Sequence, residues 1–77
     1  MRKKVNFKLK ALRVEHGLTQ ADLAKMIGIG EITYVRKENG LSEFKESEIK
    51  KICEIFNKKP EEIFFNDDVT KSITKTM

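Results

Sequence analysis

The stretch at residues 18–40, LTQADLAKMIGIGEITYVRKENG, constrains the fold more than any other part of the chain. Thr19 has the chemistry of a helix N-cap, and Leu23, Ala24 and Ile27 follow at helical spacing, which predicts a short amphipathic helix over Gln20–Ile27. Gly28 then supplies the left-handed backbone that turns a chain out of a helix, with Ile29 filling the corner. A second helix restarts near Glu31 and is stopped by another glycine in Glu38-Asn39-Gly40. Ala24 is small where the two helices must cross closely, and Tyr34 falls on the inward side of the second.

Two short helices joined by about three to four residues containing Gly match a helix-turn-helix, whose second helix enters the DNA major groove. With LTQADLAKMIG followed by ENG, the chain resembles the helix-turn-helix family of phage-type repressors and Cro-like regulators, the XRE family. The resemblance runs over about residues 7–64, and its motifs are specific as a set rather than singly. It implies an all-α, lambda-repressor-like DNA-binding domain: a compact five-helix bundle carrying a helix-turn-helix.

The flanking segments fit that architecture. Asn6 is a plausible N-cap for a first helix ending at Gly17, with Leu9, Leu12 and His16 on one stripe and Val5 leading into it. Phe7 and Val14 fall off the stripe, left to cover a neighbouring element or join a dimer contact. After Gly40, Phe44 is expected in the core before a fourth helix begins near Glu46. There Ile49, Ile52, Cys53 and Phe56 form a buried stripe, Lys50, Lys51 and Glu54 stay outside, and Ile55 lies off the stripe. Pro60 suits the first turn of a fifth helix, Glu61 and Glu62 complement its positive end, and Ile63 and Phe64 anchor it.

The expected organisation is a basic N-terminal arm at 1–5, the helix-turn-helix domain at 6–65 and a tail at 66–77. The arm could be a short edge strand. Phe65, Val69 and Ile73 fit either one face of a strand or successive positions on a helix, and Phe65, following a buried pair, is expected to pack on the fold or on a second subunit.

Composition narrows the function classes. A chain of 77 residues makes one domain with a small core, so helical packing or dimerisation must supply much of the stability. A lone cysteine forms no internal disulfide and suits a reduced, cytoplasmic setting, where Cys53 serves as core filler. No run approaches the roughly twenty apolar residues of a membrane helix. The net charge of +4 is unevenly spread: Arg2, Lys3, Lys4, Lys8, Lys10 and Arg13 precede the first acid, while most carboxylates lie beyond Gly40. That asymmetry gives one half a nucleic-acid-facing character. His16 has no second histidine or cysteine at ligand spacing, so no metal and no cofactor are expected. One His, one Cys and no glycine-rich phosphate loop supply no catalytic set, which argues against an enzyme.

On a helix-turn-helix, the groove-facing positions are Gly30, Glu31, Ile32 and Thr33, with Arg36 one turn later. Arg36 can bond guanine with two donors, Glu31 can accept from cytosine, and Ile32 can cover a thymine methyl. The resemblance implies phosphate clamps at Gln20 and Asn39, with Gly40 beside them, and an ion pair between Arg13 and Glu38 linking helix one to the end of helix three. Three positions depart from the family. Gly30 stands where a capping Ser or Thr is usual. Lys37 replaces a common apolar residue, so that its stem covers the same surface while its charge reaches solvent or phosphate. Glu31 is either a base reader or an exposed residue favouring the helix N-terminus.

The function implied is a regulator of transcription binding double-stranded DNA, a repressor acting as a homodimer on a palindromic operator. The competing reading is an antitoxin or protein-interaction module with a protein partner, left open by Gly30, Glu31 and Ile32.

Overall fold

In a computed structural model of the chain, the described residues are 5–64, and they form five helices: α1 (Phe7–Glu15), α2 (Gln20–Ile27), α3 (Glu31–Glu38), α4 (Glu46–Phe56) and α5 (Pro60–Ile63). No strand occurs among the described residues. The arm cations Arg2, Lys3 and Lys4, and Phe65, Val69 and Ile73, lie outside them.

The helix ends follow from local chemistry. Asn6 caps α1 by accepting from the Leu9 N–H at 3.0 Å. Thr19 and Asp22 cap α2 reciprocally, each side chain accepting from the other's backbone N–H, at 3.0 and 2.9 Å. Those bonds from Thr19 hold the Asp22 carboxyl below the usual carboxylate range. The glutamates in the first turns of α4 and α5 do similar work, Glu48 accepting from the Lys45 N–H at 2.9 Å and Glu62 from the Lys59 N–H at 3.0 Å. At the far end of α2, Gly28 takes φ +82°, and the Ile29 N–H reaches back to the Ala24 carbonyl at 3.0 Å. The same wrap closes α1, α3 and α4, with Asn57 at φ 56° serving where the sequence lacks a glycine.

The core collects Leu9, Leu23, Ala24, Ile27, Tyr34, Ile52, Cys53, Phe56 and Ile63 from all five helices. Leu9, Leu23, Ile52 and Ile63 are fully buried, each contributing about 1.5–3 kcal/mol of transfer free energy. Phe44 reaches the core from the α3–α4 connection, edge-on to Tyr34 and to Phe64 with ring centroids 5.9 and 5.4 Å apart. Cys53 is buried in this packing, and burial raises its thiol pKa. His16 sits on the helix end, Nδ1 2.8 Å from the Leu12 carbonyl, its ring edge-on to Phe56.

The apolar stripes grade off at their edges rather than ending sharply. Leu12 and Ile49 are half-buried rather than buried, while Ile55, expected off the stripe, also packs against the core. Phe7 and Val14 remain 68% and 61% exposed.

Candidate nucleic-acid interface

α2 and α3 are joined through Gly28, Ile29 and Gly30, and Ala24 and Ile27 of α2 are buried with Tyr34 of α3. α3 is therefore two-sided. Tyr34, Lys37 and Glu38 face inward, whereas Glu31, Ile32, Thr33 and Arg36 are exposed, Ile32 at 78%. Gly30 opens the helix with no side-chain cap hydrogen bond, leaving the first-turn amides of α3 to other acceptors.

The inward side is fixed by a buried carboxylate. Glu38 is 1% exposed, and Arg13 Nε donates to its Oε2 at 3.0 Å while Arg13 Nη2 approaches Oε1 at 3.4 Å. The Tyr34 hydroxyl donates to Oε2 at 2.7 Å, and Gln20 Nε2 donates to Oε1 at 2.9 Å. Arg13 Nη1 also donates to the Leu18 carbonyl at 2.9 Å, and the Asn6 N–H to the Glu38 carbonyl at 2.9 Å. One carboxylate thus ties α1, α2 and α3 together. Burial alone would raise its pKa, but the bonds from Arg13, Tyr34 and Gln20 outweigh that and hold it below the usual range. The same contact raises the Arg13 pKa, and burial with Glu38 alongside raises that of Tyr34. Network and helix ends together hold the exposed face of α3 in one orientation, as a reading surface requires.

Lys37 departs from its expected place at solvent or phosphate. It is buried, and its ammonium donates to Glu48 Oε1 at 2.6 Å, 6.0 Å from the centre of the Phe44 ring. A carboxylate inside a nearly dry seam holds an ammonium more strongly than a hydrated contact does, so the charge turns toward α4 and away from any phosphate on the outer face. Burial opposes ionisation of Glu48, yet Lys37 and the Lys45 N–H together keep its pKa low.

The remaining clamp residues surround this frame. Gln20 is half-buried with its amide engaged by Glu38, and one of its two amide hydrogens is left over. Asn39 is half-buried and Gly40 exposed, both directly after α3.

Sequence reasoning missed three members of these networks. Tyr34 precedes Glu38 by one helical turn, so its hydroxyl could have been placed there from spacing. Glu48 had a capping position as its signal. The Gln20 contact had none.

The Helix-turn-helix family model HTH_3 matches residues 9–63, most of the chain. The chain belongs to the XRE-type helix-turn-helix family. Among relatives, it is 39% identical over 61 residues to an uncharacterized HTH-type transcriptional regulator of Methanocaldococcus jannaschii, covering 79% of this chain and 92% of that protein. It is also 36% identical over 63 residues to a glutamine–fructose-6-phosphate aminotransferase (isomerizing) of the same organism. That match covers 80% of this chain but 6% of the aminotransferase, so it concerns one small segment of a far longer protein. No solved structure matches the chain significantly. In this helix-turn-helix chain, α3 occupies the place of the recognition helix.

Proposed function

We propose that this protein is a sequence-specific DNA-binding repressor of transcription, non-enzymatic and cytoplasmic, acting as a homodimer on a palindromic operator. The observation that carries the reading is the exposed face of α3, with Glu31, Ile32, Thr33 and Arg36 turned outward above the buried Glu38 network. Arg36 reads guanine, Ile32 covers a thymine methyl, and Glu31 accepts from a cytosine amine. Gln20, Asn39 and Gly40 hold the backbone, together with the amides of the helix N-termini. Two copies set their recognition helices about 34 Å apart, or a multiple of it.

Selection of bound DNA from a random pool at two salt concentrations tests binding, sequence and half-site spacing together. A palindromic consensus is expected. Arg36→Ala is expected to cost about 1–3 kcal/mol on that consensus and to relax one position per half-site. If it bound every sequence as the parent does, α3 would not be the reading element.

One feature favours a second reading. With Lys37 turned inward, Arg36 shares the outer face of α3 with Glu31, a balance that suits a protein partner as well as a polyanion. A flat selection together with a co-purifying protein would decide for the antitoxin or interaction-module reading.

A further inference from the structure

Phe7, Ala11 and Val14 share the outer face of α1, at the spacings that stack side chains on a helix. All three are exposed. Leu9 and Arg13 on the opposite side are buried, Arg13 against Glu38 of α3, so the stripe points away from the core and from the helix proposed to read DNA. An open apolar stripe on a capped, anchored helix is a contact surface in want of a partner.

We propose that α1 pairs with α1 of a second copy, antiparallel, about a twofold axis passing near Ala11. The inference rests on the dimeric reading above and supplies its surface. Charge complementarity selects this occupant. Lys8 and Glu15 lie along one flank of the stripe, seven residues apart and pointing the same way within about 20°. A twofold axis across the helix lays that flank against its own copy running in reverse, so each Lys8 comes beside the other copy's Glu15. Ala11 is small at the crossing, where it lets the axes approach to about 8 Å, and each Phe7 covers the other copy's Val14. Lys10, on the other flank near the axis, meets its own copy and opposes association. One helix face buries well under the roughly 800 Å² per partner of a stable complex. The dimer is therefore weak when free and tightens when DNA holds two copies side by side.

Sedimentation equilibrium of the full chain, from micromolar to millimolar concentration, reads this directly. The parent mass is expected to rise with concentration. Phe7→Ser should weaken association by at least about tenfold. Lys8→Glu and Glu15→Lys should each weaken it roughly three- to tenfold, while the two combined restore the parent and Lys10→Ala tightens it. These side chains are exposed, so the variants keep the fold. A parent that stays monomeric throughout would overturn the proposal, as would association indifferent to these substitutions or single reversals that the combined variant does not rescue. Binding to one half-site needs only one copy. A parent that associates through α1 yet ignores DNA ends the DNA reading alone, and one that binds half-sites but never associates ends only the α1 pairing.

Discussion

Glu38 and Glu48 are both buried, both hydrogen-bonded to a cation and both held ionised, yet they work in different seams. Glu38 takes its bonds from Arg13, Tyr34 and Gln20 and so joins α1, α2 and α3 at a single point. Glu48 takes one from Lys37 and one from the Lys45 amide, joining the end of α3 to the start of α4. The first site orients a helix and the second finishes one. A buried carboxylate whose lone pairs are shared among several elements cannot lose one partner without loosening all of them, whereas one that doubles as a cap keeps a local role.

The largest consequence is at Glu38. Removing it strands the buried Arg13 guanidinium and the Tyr34 hydroxyl, so Glu38→Ala is expected to cost about 3–5 kcal/mol of unfolding free energy. Glu61→Ala, on the exposed first turn of α5, should stay within about 0.5 kcal/mol. Urea midpoints measure both, and equal midpoints would remove the Glu38 network as an organising feature.

Glu48→Ala should fall between them, at about 1–3 kcal/mol, because it removes the Lys37 partner and the α4 cap but leaves α1 and α2 untouched. Hydrogen exchange sharpens the contrast. Amides of the α4 first turn should open in Glu48→Ala, whereas in Glu38→Ala protection should drop across α1, α2 and α3 together. Loss spread evenly over all helices in both variants would erase the distinction.

Acid should expose the pair next. Both carboxyls have folded pKa values below those of the unfolded chain, so their contribution is present above the ordinary glutamate value of about 4.3 and is lost as pH falls through the lower folded values. The melting temperature is expected to be level above about pH 5 and to drop below about pH 4. Glu38→Gln should flatten that limb more than Glu48→Gln, since more donors favour the ionised form of Glu38. The reverse order would mean that the Lys37 seam dominates.

The two sites also differ in how far the sequence revealed them. Thr19, Gly28, Ala24 and Tyr34 placed α2 and α3 because caps, glycine stops and inward spacing are local signals that tertiary packing did not override. Arg13 opposite Glu38 came from family resemblance, which carries a long-range pairing that periodicity cannot. Lys37 was misplaced for a physical reason. A charge on a short helix is ordinarily assigned to water, and its partner stands eleven residues on, at Glu48, for which the sequence offered only a capping position. Leu12 and Ile49 were assigned too deeply for a related reason: spacing fixes which side of a helix faces the core but not how far neighbouring elements cover that side, and in a small domain its edges stay partly open.

The smallest expected effect tests that correction. If the Lys37 ammonium belongs to Glu48, replacing the pair by neutral groups of similar shape removes a buried ion pair without stranding either charge. Lys37→Met combined with Glu48→Gln should then hold stability within about 1 kcal/mol of the parent, since the glutamine oxygen still accepts from the Lys45 amide. On the selected operator the same variant should leave the slope of log affinity against log salt unchanged, because a cation turned into the α3–α4 seam releases no counterion from DNA. A phosphate contact would behave otherwise: its loss flattens the slope by about 0.9. Lys45→Ala is the companion measurement, as Lys45 is exposed at the start of α4. A slope that flattened by nearly one unit in the Lys37 variant would return Lys37 to the DNA backbone and make Glu48 merely its resting partner in the unbound protein.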